Sequence, residues 1–213
     1  MPVFRLSKED ISFPHPRLAE PEGLLAVGGD LCKERLLLAY SNGIFPWYSE
    51  GEPIQWWCPK ERYIIRPQNI HVSHSLRKFL RKHDVKICLN RDFKDTIHRC
   101  RIKREFNEGT WITDDMEKAY CELHEEGFAA SIDAMVDGEL AGGLYGVTLH
   151  DCFFGESMFS ESENGSKIAL VGLAQYMINN GMKMIDCQFH TEHLESMGGE
   201  KISYDEYMEI VSP

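Results

Sequence analysis

Apolar residues in the middle of the chain recur every three to four positions, which is the period of an amphipathic helix. The segments "SHSLRKFLRKH" (73–83), "DFKDTIHRCRIKR" (92–104) and "GTWITDDMEKAYCELHEEG" (109–127) combine this period with a capping residue. Thr113 is the expected N-cap of the third segment. Between the first two, "VKICLN" (85–90) is typical of a short strand. The middle of the sequence therefore predicts three helices and one strand.

Further along, apolar and polar residues alternate with a period of two, as they do in half-buried strands. The runs "FAASIDAMV", "ELAGGLYGVTL" and "CFFGESMFS" are separated by an Asp-Gly and a His-Asp turn, so they predict three antiparallel strands. A helix over 165–181, a strand "MKMIDCQFH" and a helix "SYDEYMEIV" follow. Because such crossovers are right-handed and usually join neighbours, the strand after the helix is expected beside the strand that carries Glu156.

The first sixty residues have a different character. Residues 12–62 are rich in Pro, Gly and aromatic side chains, and one helix is predicted between an N-cap at Asp30 and a closing glycine at Gly43. With the strands and helices that follow, this pattern predicts an α+β protein. We expect a small N-terminal domain over 1–62 and a second domain over 63–213, whose mixed, mainly antiparallel sheet is flanked by helices.

The composition is that of an ordinary globular protein. The chain has 213 residues, of which 43% are apolar and 27% charged, without an apolar run of the roughly 20 residues that span a bilayer. Its beginning lacks a signal-peptide pattern, and its seven cysteines are scattered without a C-x-x-C pair, which favours reduced thiols. We expect a cytoplasmic monomer with no membrane contact, no metal and no bound cofactor.

Charge is distributed unevenly along the chain. The net charge is −11, yet residues 60–104 contain 14 Lys or Arg and only 4 Asp or Glu. A basic band of this kind can bind a polyanion such as an RNA backbone, although a solvated helix face is the commoner fate of a charge run. The candidate phosphate contacts are Arg77, Lys78, Arg81, Lys82 and, at the start of the predicted helix 165–181, Lys167.

Three polar residues stand among apolar ones in the second half of the chain. On a strand, Glu156 would face the same side as Phe154 and Met158, where an ionised carboxylate needs a partner. Asp186 and Gln188 lie two residues apart in "MIDCQFH" and would share one strand face. If the two strands are neighbours, the three polar side chains line one cleft. The alternative is a buried polar network whose members satisfy each other.

Several blocks of the sequence resemble a known family. "FPHPRLAEPEGLLAVGGDLCKERLLLAYSNGIFPW", "QWWCP", "GTWIT", "GGLYGV", "FFGESMFS", "NGSKIAL" and "DCQ" followed by "HLESMGG" are similar to the leucyl/phenylalanyl-tRNA–protein transferases. The resemblance implies an enzyme that moves Leu, Phe or Met from a charged tRNA to the N-terminal amine of proteins beginning with Arg or Lys. The new N-terminus would mark those proteins for degradation. The resemblance also implies a GNAT-like acyltransferase fold for the second domain.

The same resemblance implies roles for particular residues. Asp186 and Gln188 correspond to the catalytic pair, with Glu156 as a polar partner in the same site. Trp47 and Trp111 correspond to the aromatic residues that hold the 3′-terminal adenosine of the tRNA. The pocket for the aminoacyl side chain is expected from Phe153, Met158, Leu170 and Ile185.

Two alternative functions remain open, and the sequence departs from the family in "AASIDAM", in "NGSK" where the family usually has "NASK", and in stopping at Pro213. "AASIDAM" (129–135) stands where the family usually has "AHS" followed by an acid, a small residue and a Trp, which leaves the acceptor range open. A small-molecule N-acetyltransferase using coenzyme A would have a similar fold, but no Gly-rich pyrophosphate loop precedes the helix over 165–181. A non-catalytic tRNA-binding module would account for the basic band alone.

Overall fold

A computed structural model describes residues 3–105 and 110–212 of the chain. The first part contains β1 (Phe4–Leu6), β2 (Leu24–Gly28), α1 (Lys33–Ser41), β3 (Phe45–Pro46) and β4 (Gln55–Trp57). Its four short strands form a sheet in the order β1-β2-β4-β3. The remainder builds a larger sheet flanked by helices.

The strands of the larger sheet are β5 (Glu61–Ile65), β6 (Val85–Leu89), β7 (Ala129–Val136), β8 (Glu139–Leu149), β9 (Cys152–Ser160), β10 (Met184–Asp186) and β11 (Glu200–Ser203). The helices are α2 (His74–Leu80), α3 (Phe93–Glu105), α4 (Asp114–Glu125), α5 (Gly165–Asn179), α6 (Glu192–Ser196) and α7 (Tyr204–Val211). The strand order is β11-β5-β10-β9-β8-β7-β6, and every neighbouring pair is antiparallel except β9 and β10. The predicted α+β class with a mixed, mainly antiparallel sheet is confirmed.

Local sequence accounts for several helix starts. The side chains of Ser73 and Thr113 accept hydrogen bonds from backbone nitrogens three residues later, as N-caps do. The first helix differs from its prediction, because Asp30 is not its N-cap. α1 begins after Cys32, and the Asp30 carboxylate accepts instead from Arg35 Nε at 3.1 Å.

β9 contains a bulge at the position of Glu156. Tyr145 of β8 pairs with Ser157 and Gly146 pairs with Gly155, so Glu156 is an extra residue between two regular pairs. A glycine fits opposite the bulge, because a Cβ on Gly146 would collide with the backbone of β9. The bulge therefore depends on close approach of the two strands.

The bulge overturns one expectation about strand faces. Phe154 packs in the core cluster that contains Tyr40, and Glu156 faces this side as well. Met158 packs with Leu170 in the cluster on the other side of the sheet. The predicted common face of Phe154, Glu156 and Met158 is wrong, because one extra residue reverses the alternation.

β10 lies beside β9, as predicted, but is shorter than expected. It pairs in parallel with β9, with Asp186 opposite Phe154, and it ends there. Gln188 has a φ of 56°, in the left-handed region, so the strand cannot continue through it. The expectation that Asp186 and Gln188 share one strand face is therefore wrong. The chain turns back instead, and the Gln188 backbone nitrogen donates to Asp186 Oδ1 at 2.9 Å.

One apolar core crosses the expected domain boundary. Leu36 and Trp56 from the first part pack in the same cluster as Phe93 and Tyr120 from the second. The division into domains 1–62 and 63–213 stays a prediction. Within the described residues, no helix has the length and apolarity needed to cross a membrane. The expected cytoplasmic location and monomeric state also stay predictions.

Candidate active site

One cavity of about 380 Å³ lies where β10 ends and β9 continues past it. It is lined by all the residues predicted for catalysis, nucleoside binding and the side-chain pocket, namely Trp47, Trp111, Phe153, Glu156, Met158, Leu170, Ile185, Asp186 and Gln188. No residue of the atypical segment 129–135 lines it. The single cleft expected from the sequence is therefore present, although the strand geometry behind it differs.

The carboxylate of Glu156 lies between two tyrosine hydroxyls. Tyr40 Oη donates to Oε1 at 2.6 Å and Tyr120 Oη donates to Oε2 at 3.2 Å, and the two hydroxyls contact each other. Burial raises the pKa of Glu156 to about 7, which outweighs the opposite effect of the two hydrogen bonds. A carboxyl group with a pKa near neutrality can exchange a proton with a substrate at working pH.

Asp186 is fully buried and paired with Arg62 of β5. Arg62 Nη2 donates to Oδ2 at 2.6 Å and Nε donates to Oδ1 at 2.8 Å, while Tyr207 Oη donates to Oδ2 at 2.8 Å. Burial alone would lower the pKa of Arg62, but the Asp186 charge raises it above its usual value. Together with the bond from the Gln188 backbone nitrogen, these contacts hold the Asp186 carboxylate in one place.

The backbone of Gln188 is held on both sides. Its nitrogen donates to Asp186, and its carbonyl oxygen accepts from the Tyr63 backbone nitrogen at 3.2 Å. The side-chain Nε2 is buried and has no hydrogen-bond partner among residues 3–105 and 110–212. A left-handed backbone at a residue other than glycine stores strain, and such residues cluster at functional sites. An amide has little basicity, so this side chain can orient a substrate but cannot take its proton.

Aromatic rings form one wall of the cavity. The ring centroid of Trp47 lies 6.2 Å from that of Trp111, at an interplanar angle of 86°, and 5.3 Å from that of Phe189. Trp47 is 38% exposed, so part of its indole is available to a ligand. An exposed tryptophan beside a cavity suits the stacking of a nucleobase. Phe189 also lines the cavity and was not predicted from the sequence.

A second wall is apolar. Phe153, Leu170 and Ile185 are buried, and Met158 is half-buried against the same core cluster. The cavity is also lined by three leucines that were not predicted, Leu144, Leu173 and Leu194. One of them had a signal, because Leu173 follows Leu170 at the three-residue spacing that places both on one face of a helix.

The predicted phosphate contacts do not line the cavity. Arg77, Lys78, Arg81 and Lys82 are exposed on α2 and the turn after it, and none of them makes an ion pair within the described part of the chain. Other members of the basic band are already paired with carboxylates, namely Arg62, Arg66, Arg91, Arg99, Arg101 and Lys103. The cationic surface that remains is therefore smaller than the sequence suggested.

Two further kinds of chemistry find little support at this site. Residues 3–105 and 110–212 contain no group of three or more His, Cys, Asp or Glu side chains arranged to bind a metal. Cys187 lines the cavity, but burial raises its pKa far above the usual value, so its thiol stays protonated. Glu156, Asp186 and Gln188 line the same cavity, and their catalytic roles stay a prediction.

Comparison with known proteins places the chain in a family. A family model described as leucyl/phenylalanyl-tRNA protein transferase matches residues 64–212, and the model of that family's N-terminal domain matches residues 29–60. The chain belongs to this family. Membership makes it an aminoacyltransferase, which confirms the predicted family and enzyme class.

Individual relatives agree. A leucyl/phenylalanyl-tRNA–protein transferase of Desulfatibacillum aliphaticivorans is 54% identical over 202 residues, covering 94% of this chain and 86% of that protein. One of Syntrophobacter fumaroxidans is 48% identical over 213 residues, covering 100% of this chain and 91% of that protein.

Among solved structures, a conserved protein of unknown function from Bacteroides thetaiotaomicron has a TM-score of 0.47 at 12% identity, over 72% of this chain and 56% of that chain.

Proposed function

We propose that the protein transfers an aminoacyl group from tRNA to the N-terminal α-amine of an acceptor protein. The names of its relatives support both the tRNA donor and the protein acceptor. The observation that carries the proposal is the convergence of an apolar slot, two tryptophans and Glu156 on one cavity. The slot suits the aminoacyl side chain, the tryptophans suit the terminal adenosine, and the carboxylate suits the amine.

The finer specificity is part of the same proposal. An apolar slot walled by Phe153, Met158, Leu170 and Ile185 suits Leu, Phe and Met, whereas β-branched side chains would fit poorly near the ester. When ionised, Glu156 also attracts the cationic side chain of acceptors that begin with Arg or Lys. The Leu, Phe or Met left at the new N-terminus would mark the acceptor for degradation.

The proposed reaction is the aminolysis of an ester. The neutral amine nitrogen attacks the ester carbonyl carbon, a C–N bond forms, and the bond from that carbon to the ribose oxygen breaks. The nitrogen loses one proton, and the departing ribose oxygen gains one. Glu156, with a pKa of about 7, accepts the first proton and supplies the second. Because the ester is already activated, positioning of the two substrates does most of the remaining work.

Asp186 and Gln188 have supporting roles in this proposal. Asp186 is held by Arg62 and Tyr207, so its use is to fix the turn that presents Gln188. The Gln188 side chain orients the incoming amine toward the ester. Gln188→Ala is therefore expected to lower the rate of transfer. The corresponding rise in activation free energy should exceed the change in the free energy of unfolding.

A transfer assay tests the proposal directly. Purified protein is mixed with tRNA carrying labelled Phe and a peptide that begins with Arg, and the label is expected on the peptide. The same peptide with an acetylated N-terminus is the control, and it should stay unlabelled because its amine is blocked. Consumption of acetyl coenzyme A would favour a small-molecule acetyltransferase instead. Equal affinity for charged and uncharged tRNA without peptide product would favour a binding module.

The surface on α2 gives a separate prediction for tRNA affinity. Replacing Arg77, Lys78, Arg81 and Lys82 by glutamate removes cations that make no ion pair within the described residues, so tRNA should bind more weakly. Affinity for tRNA falls as salt rises, so a plot of log affinity against log salt concentration has a negative slope. The steepness of this slope should decrease by about 0.7–0.9 for each phosphate that the protein no longer neutralises. Lys118→Glu on α4 reverses an exposed lysine outside this surface, which is paired with Glu122, and should change neither quantity. An unchanged slope in the fourfold variant would contradict the assignment of α2 to the RNA backbone.

A further inference from the structure

Arg104, the residue before the last in α3, lines the cavity and was not singled out by the sequence. Its guanidinium carbon lies 3.9 Å from the centroid of the Trp111 ring, and its Nε donates to Ser157 Oγ at 2.8 Å. Arg104 thus contacts both Trp111, in the aromatic wall of the cavity, and β9, the strand that carries Glu156.

The hydrogen bond from Arg104 to Ser157 ties Arg104 to the strand that carries Glu156. Ser157 is buried and follows Glu156 directly at the bulge of β9. Trp111 lies just before α4, in a segment without helix or strand structure, where a side chain has more freedom than inside a regular element. Arg104 therefore bridges a ring in an irregular segment and a strand in the centre of the large sheet.

We propose that Arg104 is a positioning residue, which fixes the indole of Trp111 as a stacking surface at a set distance from Glu156. This inference rests on the proposed function and deepens it. The flat guanidinium covers one face of the indole, so a base stacks on the other face. Holding the ring before the donor binds removes part of the ordering cost of binding.

The chemistry of arginine suits this role. A planar guanidinium stacks on an aromatic face while its edge donates a directed hydrogen bond, and the compact ammonium of lysine does not combine the two. Arg104→Lys should therefore preserve part of the attraction to the ring and lose the fixed geometry toward Ser157. Ser157→Ala removes the hydrogen bond to Arg104 Nε and leaves the contact between Arg104 and the Trp111 ring in place.

The transfer assay measures the effect through the two Michaelis constants. Arg104→Ala should raise the KM for charged tRNA roughly 3- to 30-fold, the range that corresponds to a cation–π contact. The KM for the acceptor peptide should stay unchanged. In a Trp111→Ala background, Arg104→Ala should add less than about twofold, because Arg104 acts through that ring. A full effect in the Trp111→Ala background would overturn the proposal.

A minimal donor separates positioning from direct RNA binding. Adenosine that carries an ester-linked Phe contains the nucleoside and the side chain but no phosphate. Arg104→Ala should reduce its use by the same factor as that of charged tRNA. A loss confined to full tRNA would mean that Arg104 binds the RNA itself, which overturns the positioning role.

Two further measurements keep the inference testable on its own. If Arg104→Ala fails to fold, Arg104→Lys and Ser157→Ala should each raise the KM for the donor by a smaller factor, and no change in either would overturn the proposal. Adenosine binding, followed by tryptophan fluorescence, should weaken in the Arg104 variants whether or not transfer occurs. Absence of transfer by the unaltered protein would contradict the proposed function, whereas unchanged adenosine affinity in the variants would contradict the role of Arg104.

Discussion

Replacing Arg62 by methionine is expected to lower the free energy of unfolding by about 3–5 kcal/mol, because it leaves the buried Asp186 carboxylate without its cation. The Arg62 guanidinium carbon lies 4.6 Å from the ring centroid of Phe45 and 4.8 Å from that of Tyr207, so the substitution also disturbs the packing there. Urea denaturation followed by circular dichroism measures the difference. Transfer activity should fall too, because the turn that holds Gln188 loses its anchor.

Two variants show whether burial is the cause. Arg17 and Asp205 also form an Arg–Asp pair, but both side chains are about two-thirds exposed, so Arg17→Met should cost less than about 1 kcal/mol. Removing both buried charges, in Arg62→Met with Asp186→Leu, should recover part of the loss caused by Arg62→Met alone. If the double variant is less stable than the single one, an unpaired charge is not the main cost.

Glu156→Gln is expected to lower the rate of transfer by roughly 10²–10⁴, since it removes a proton acceptor and keeps the size of the side chain. In the unaltered protein, kcat/KM for the acceptor should rise with pH through about 7 as Glu156 loses its proton. A second rise near pH 8 is expected from the acceptor amine itself. The variant should keep only the second rise, which single-turnover rates between pH 5.5 and 9 would reveal.

An exposed acid provides the control for this profile. Glu34 on α1 is largely exposed, and Glu34→Gln should leave both rises in place. If Glu156→Gln retains the rise near pH 7, another group accepts the proton and the proposed mechanism fails. If both rises remain and the rate is unchanged, Glu156 has no chemical role.

Glu156→Gln, which should lower the rate of transfer, is expected to raise the free energy of unfolding at high pH. The folded-state pKa of Glu156 is raised from 4.5 to about 7, so the folded protein binds more protons than the unfolded chain between these values. The free energy of unfolding should therefore fall as pH rises through this window, by at most about 1.4 kcal/mol per pH unit. Glu156→Gln removes that penalty and should be the more stable protein at pH 8. A less stable variant at pH 8 would contradict the effect of burial on Glu156.

Periodicity was sufficient to predict much of the fold. The three hairpin strands, the helix after them and the parallel neighbour all follow from spacing and turn residues within short windows. The bulge does not, because the letters around Glu156 alternate as they would in a regular strand. The early end of β10 was missed for a similar reason, since a positive φ at Gln188 has no signature in its own residue type.

The residues that line the cavity were predicted better than the hydrogen bonds and ion pairs that they make. Resemblance to the family identified nine residues that line one cavity, but the partners that set their chemistry are distant in sequence. Tyr40 is 116 residues from Glu156, and Arg62 is 124 residues from Asp186. Pairing of this kind depends on the packing of the first part of the chain against the large sheet. A pattern within a short window carries no information about it.

The extra residue in β9 makes the site sensitive to chain length. Deletion of one residue of β9 just before Glu156 would restore regular pairing with β8. The Glu156 carboxylate would then point to the apolar side of the sheet that Met158 and Leu170 occupy. Substitution of a side chain around the cavity leaves the pairing of β8 and β9 unchanged. An insertion or deletion in this strand has no graded outcome, so related sequences that vary freely in composition should still keep the count of residues between Cys152 and Ser160.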